Sequence, residues 1–279
     1  MSANRTIVAL AALLVALAAC DEDKGNTPLF PGPCTQENDN NADGLVDLRI
    51  VYTYDDAGLL VLRETDSLPE SDLDGIPEGA SHYYYEGDLL VRKEVDYGAN
   101  DSIELYYFFI YDEQDWLTSV EVKGDPDAEL DALYEFTYDE SGNNIEAVYS
   151  FYMGEETEQD IEYYTFDADD NLVAEEIDFD AHLGEGIDER HYHQLDSESV
   201  RYRTDRDLDG DFVIDAVTYY NYDSQGLLVL EETDTGPDQV IDKAETYDWD
   251  GGGNLTKYVL DEGADGWEDE IQRFGYGCW

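Results

Sequence analysis

Lys and Arg are scarce in this chain: 14 in 279 residues against 70 Asp and Glu, a net charge of −56. A surface of that sign offers no basic face to nucleic acid, which excludes it as a partner, and it repels anionic lipid headgroups. Helical patterning is missing as well. Past residue 20, no segment places apolar residues at i, i+3, i+4 and i+7 behind a cap. There is no Gly-x-Ser-x-Gly nucleophile frame and no phosphate-cradling glycine loop beside a lysine. Among 70 acids no carboxylate pair stands out for glycoside hydrolysis. The chain therefore reads as non-enzymatic. Acidity of this degree often accompanies disorder, but 23 Tyr, 9 Phe and 4 Trp are enough aromatics to pack a core.

The N-terminus has the layout of an export signal. Arg5 precedes an apolar run of 11 residues from Ile7 to Leu17, too short to span a bilayer. It leads into Leu17-Ala18-Ala19-Cys20, which resembles the lipobox of bacterial lipoproteins. That resemblance implies a signal peptide over 1–19, a diacylated Cys20 and a membrane anchor in the bacterial cell envelope, at the outer membrane or cell surface rather than the inner membrane. Residues 20–38 then form a lipidated tether containing Pro28, Pro31 and Pro33. The other two of the three cysteines, Cys34 and Cys278, flank the remaining sequence. In an exported chain, this placement predicts a disulfide that clasps the two ends.

Residues 39–279 repeat. Tyr54-Asp55-Asp56-Ala57-Gly58-Leu59-Leu60 returns at Tyr138, Phe166 and Tyr222. Weaker copies start at Tyr85, Tyr111, His193 and Trp249, and a truncated one at Tyr276. Successive anchors lie 26 to 31 residues apart, a period that marks a repeat architecture. Before each anchor the residues alternate, as in Leu105, Tyr107, Phe109 and Tyr111, which reads as strand. Asp-x-x-Gly is turn chemistry, and a second strand follows it. The expected fold is all-β. It is an antiparallel meander of about nine hairpin repeats, each of roughly 27 residues, with about 16–18 strands. A sheet that wide twists, so it should coil into a spiral or incomplete barrel. Tyr52, Tyr54, Tyr107, Tyr138, Tyr220 and Tyr222 are expected to form its core rather than a sugar-stacking platform.

At Tyr52-Thr53-Tyr54-Asp55, Phe136-Thr137-Tyr138-Asp139 and Tyr220-Asn221-Tyr222-Asp223 the chain resembles the YD repeats of Rhs proteins, teneurins and insecticidal toxin complexes. The resemblance implies a β-shell. The period here is longer by an acidic loop, and the arginine common in that family is absent around the motif.

Those acidic loops carry the candidate site. Asp39, Asn41, Asp43 and Asp47, with Gly44, place oxygens at positions 1, 3, 5 and 9. Glu70, Asp72, Asp74 and Glu78, with Gly75, repeat the spacing. Asp205, Asp207 and Asp209, with Gly210, give the first half, and Asp211 and Asp215 add carboxylates off register. Partial versions occur at Asp234, Asp238 and Asp242 and at Asp261, Asp265 and Asp269, while 96–104 and 154–162 are degenerate. Alternating carboxylates around a glycine turn suit Ca²⁺, which takes six to eight oxygens. The competing reading is that Asp, Asn and Gly are simply good turn residues. His191 and His193, with Glu189 nearby, occupy the Tyr-x-Tyr place and read as packing rather than as a zinc site.

The expected function is an envelope-anchored binding or scaffold module, stiffened by calcium, with a protein or polysaccharide ligand. The alternatives are an Rhs-like structural or cargo shell, or a polysaccharide-binding or hydrolysing protein.

Overall fold

The computed structural model describes residues 32–67, 77–154, 156–184, 186–236 and 238–276. Its strands in chain order are β1 (Thr35–Asp39), β2 (Leu48–Tyr54), β3 (Leu60–Asp66), β4 (Gly79–Glu86), β5 (Leu89–Asp96), β6 (Leu105–Tyr111), β7 (Leu117–Lys123), β8 (Ala132–Tyr138) and β9 (Asn144–Met153). They continue as β10 (Glu156–Phe166), β11 (Leu172–Asp178), β12 (Glu189–Leu195), β13 (Arg201–Asp207), β14 (Ala216–Tyr222), β15 (Leu228–Thr235), β16 (Lys243–Trp249), β17 (Leu255–Glu262) and β18 (Glu270–Gly275). The helical content of the described residues is one 3-10 turn, Ala181–Leu183.

The repeated motif builds one rim. In seven hairpins the strand runs into an Asp whose Oδ1 accepts the amides two and four residues on: Asp55, Asp112, Asp139, Asp167, Asp196, Asp223 and Asp250. The residue three after each Asp has φ between 61° and 91°. Glycine fits that left-handed position best, which explains Asp-x-x-Gly. Asp115, Asp170 and Ser199 occupy it in the copies that lack the glycine.

Just before each turn the ladder slips by one residue, as at Thr53/Tyr54, Thr137/Tyr138 and Asn221/Tyr222. Such β-bulges bend a strand and increase its twist. The residue at the slip often reaches into the preceding hairpin. Tyr111 Oη donates to the Leu90 carbonyl at 2.9 Å, Tyr138 Oη to Leu117 at 2.8 Å and Trp249 Nε1 to Leu228 at 2.7 Å. The sixth copy is anchored at Leu195, not His193, because the turn is built on Asp196 and the ladder slips between Gln194 and Leu195.

The 18 strands form a closed antiparallel β-barrel in place of the spiral or incomplete barrel expected above. Each strand pairs with its sequence neighbours, and β1 pairs with both β18 and β2. Five Cα pairs join β1 to β18, from Thr35↔Gly275 to Asp39↔Ile271. Eight hairpins lie within the chain; the ninth pair is made of its last and first strands. Cys34 is buried at this seam and its amide donates to the Gly275 carbonyl at 2.6 Å. Cys278 and Cys20 lie outside the described residues.

Alternation sets inside and outside. Ile50, Tyr52, Arg63, Tyr83 and Lys93 line one concavity of about 430 Å³, together with Gln36, Asn38 and Leu48. The intervening positions Val51, Tyr84, Ile110 and Tyr219 are exposed. The Tyr-x-Tyr face therefore turns inward, as the alternation predicts. Its anchor tyrosines are only half-buried, however. A ring of 18 strands has a perimeter of about 86 Å at ordinary strand spacing, too wide for side chains to fill if round. The most fully covered apolar residues are aliphatic: Ile50, Val120, Val122, Ala132, Ala147, Ala216, Val217 and Ile271.

Replacing Asp223 with Ala removes the acceptor of the Gln225 and Leu227 amides. It should lower unfolding free energy by about 1 kcal/mol in a denaturant titration, while Ala at the exposed Asp56, in the turn between β2 and β3, changes it little.

Candidate site: the acidic-loop rim

The opposite rim holds the connections between hairpins, and five of them share one backbone design. The first residue is an Asp at or near the end of a strand whose carboxylate is turned onto its own loop. Asp39 Oδ1 accepts the Asp43 amide at 3.0 Å and Oδ2 the Gly44 amide at 2.9 Å. Asp207 does the same with Asp211 and Phe212, Asp234 with Asp238 and Gln239, and Asp261 with Asp265 and Gly266. The ninth residue reaches back: Asp47, Asp215, Asp242 and Asp269 each accept the amide of the second residue at 2.7–2.8 Å. Segment 96–104 follows the pattern with Asp96 and Glu104. It was expected to be degenerate, yet its backbone is the same.

The loop begins at Asp207, two residues later than the expected start at Asp205. Asp205 lies within β13, where it accepts bonds from Gln194 Nε2 and Arg203 Nε at 2.6 Å each. The carboxylates of Asp207, Asp209 and Asp215 converge, each offering an oxygen within 4.8 Å of the others. Asp209 is held above the usual carboxylate range. The Asp211 amide opposes that rise, but desolvation and the charges of Asp211, Asp215 and Asp207 outweigh it. Asp207 is completely buried. Burial would raise its pKa, yet the Phe212 amide, Arg190 and two further amides hold it low. Arg190, on the adjacent strand β12, reaches into this loop: its Nη1 lies 3.4 Å from Asp207 Oδ2 and donates to the Gly210 carbonyl at 2.6 Å. Gly210 is needed here, since φ is +70° and a Cβ would sit 2.1 Å from the Ile187 carbonyl oxygen.

In the first loop Asn41 Oδ1 accepts the Asp43 amide at 3.1 Å and Asp43 Oδ1 the Leu45 amide at 2.8 Å. Glu70, Asp72 and Asp74 lie outside the described residues; Glu78 Oε2 accepts the Ser67 amide at 2.6 Å, the role of the ninth position elsewhere. Within segment 154–162, Glu156 to Glu162 belong to β10, and Glu156 pairs with Met153 of β9. The common register, an Asp recurring at 207, 234 and 261, was readable only as the 27-residue period applied to the loops.

On the inner wall, His191 and His193 share one carboxylate. His191 Nδ1 lies 3.2 Å from Glu175 Oε2, His191 Nε2 lies 3.4 Å from Glu189 Oε2, and His193 Nε2 lies 3.3 Å from Glu175 Oε1. His193 Nδ1 meets Thr204 Oγ1 at 3.0 Å. Burial alone would lower the His191 pKa, but the bonds to Glu175 and Glu189 lift it to about 9. Burial would raise that of Glu175, but the two imidazoles hold it well below the usual carboxylate range. The group is an ion-paired strut between β11 and β12. Among the described residues, only Asp207, Asp209 and Asp215 converge as a metal cluster.

With the folded-state pKa of His191 raised from 6.5 to about 9, its stabilising contribution is complete below pH 6.5 and is lost as pH rises through about 9. Unfolding free energy should fall across that window by about 3 kcal/mol, and His191→Gln should flatten the profile. The Glu175 contribution, depressed rather than raised, is lost only in strong acid.

No known protein family matches the chain, and no curated protein sequence does. Among solved structures it is similar to the TcdB2-TccC3-TEV complex at 14% identity and TM-score 0.43, over 84% of this chain and 13% of that one. It is similar to the Photorhabdus luminescens Tc holotoxin pore at 14% identity and TM-score 0.42, over 78% of this chain and 12% of that one. A porin-like protein from Bacteroides uniformis is similar at 10% identity and TM-score 0.45, over 88% of this chain and 98% of that one. The chain thus spans about an eighth of the toxin chains, and likeness at this level carries no functional assignment.

Proposed function

We propose that the chain is an envelope-anchored, non-enzymatic binding module: a water-exposed β-barrel on a lipidated tether, presenting its acidic-loop rim to a macromolecular partner. The observation that carries this reading is the gathering of five loops of one design on a single rim. A scaffold that repeats one surface element suits an extended partner better than a single reaction centre.

The outer wall supports a barrel standing in water. Outward strand positions carry ion pairs, including Arg49–Glu37 at 2.9 Å, Lys123–Glu121 at 3.0 Å and Arg190–Glu176 at 3.1 Å. Charges of this kind facing lipid would each cost roughly 2–4 kcal/mol near the midplane. The lipobox-like Leu17-Ala18-Ala19-Cys20 supports the anchor. The carboxylate convergence at Asp207, Asp209 and Asp215 and the raised pKa of Asp209 support calcium as a stiffening ion there, since a cation relieves that repulsion. The seam supports a clasp between Cys34 and Cys278, because β18 ends beside Cys34.

A melting curve of the purified chain tests the ion. Calcium should raise the midpoint above that in Mg²⁺ or Na⁺ at equal ionic strength, with chelator reversing the gain; equal midpoints reduce the loops to turns. Non-reducing peptide mapping should recover Cys34 linked to Cys278. Reduction should cost at most about 5 kcal/mol of stability, and a free thiol at Cys34 removes the clasp.

A further inference from the structure

Four of the acidic loops are neighbours. Because β18 pairs with β1, segments 207–215, 234–242, 261–269 and 39–47 follow one another along the rim without interruption. None of the four contains Lys or Arg. Each shows an apolar side chain at its seventh position: Val213, Val240, Trp267 and Leu45, with 59%, 59%, 77% and 48% of the residue exposed. In segment 96–104 the seventh position is Ser102, and that loop lies elsewhere on the rim. Apolar groups held in water at one register in four adjacent loops are a pattern the fold itself does not require, since the carboxylate and backbone bonds that close these turns do not use the seventh side chain.

Resting on the reading of this rim as a binding surface, we infer that the arc docks a lysine- or arginine-rich polypeptide segment bearing regularly spaced apolar side chains. Two strand spacings separate adjacent loops, so the tips stand about 10 Å apart and the arc spans about 30 Å. An extended segment of roughly nine residues covers that distance. Its apolar side chains would meet the tips, and its cationic ones the carboxylates between them. The charge selects this occupant over a lipid surface, because anionic headgroups face the same repulsion as the carboxylates. Trp267 is the most exposed of the four and the strongest anchor by residue type.

The probe is a 15-residue synthetic peptide of two lysines to each leucine, compared by isothermal titration with an all-lysine peptide of equal charge, using the purified full chain in physiological salt. The lysine–leucine peptide should bind about tenfold or more tighter, as burial of one or two leucines implies. The triple substitution Val213→Ser, Val240→Ser and Trp267→Ser should abolish that advantage and leave all-lysine binding and the melting midpoint unchanged. Equal affinity for the two peptides, or an advantage that survives the triple substitution, overturns the inference. So does calcium-dependent binding to phosphatidylserine vesicles that the triple substitution abolishes, which assigns the tips to a lipid surface. A calcium-specific rise in melting with no peptide binding removes this partner yet leaves the wider proposal standing. Peptide binding without a calcium effect removes only the ion.

Discussion

The pairing of β1 with both β18 and β2 is the constraint on which the rest of the molecule depends. Without it the chain is a wide sheet with two unpaired edges, each a template for association with another chain. With it every strand has two neighbours. Closure requires curvature, and the eight ladder slips supply it evenly, one beside each hairpin turn on the same rim. Each slip adds bend where the chain must reverse. The anchor residue that causes it is often also the one that bonds back to the previous hairpin. Turn, bend and inter-hairpin bond are therefore three consequences of one short motif.

The same economy accounts for much of the acidity. At one rim an Asp accepts two amides in seven of the eight turns; at the other, an Asp and a second acid eight residues along hold five of the loops. A carboxylate is a stronger acceptor than a neutral oxygen, and these rims have dozens of free amides to satisfy. Further acids lie on the walls. There some are paired, as Glu175 is with two histidines, and some face one another, as Glu231 and Glu245 do across β15 and β16. Burial and the nearby Glu245 push the Glu231 pKa up.

Local features were legible in the sequence because they depend on neighbouring residues. Alternation marked the inward face, Asp-x-x-Gly marked the turns, and the absence of helical spacing marked the class. The contact between Thr35 and Gly275 leaves no local pattern, so the sequence pointed to the meeting of the ends only through the placement of Cys34 and Cys278 and not to a complete ring. The copy assigned to His193 went astray because its true anchor, Leu195, is not aromatic, and aromaticity was the guide. The loop placed at Asp205 was misregistered for a similar reason: alternating acids run on through 205, 207, 209 and 211, and only the bond pattern distinguishes a strand Asp from a loop Asp. The tyrosines face the right way but stay half-covered, since burial depends on ring size, which no single repeat encodes.

The hairpin shared between the two ends has a consequence of its own. Its halves are the first and last strands of the chain, yet they occupy a place in the ring equivalent to any other pair. The fold is thus cyclic although the polypeptide is linear. The position of the seam in the ring is not singled out by the pairing pattern. The same ring could in principle be written from any of its turns, and a gain or loss of one repeat would alter its girth by two strands without altering the rule that builds it.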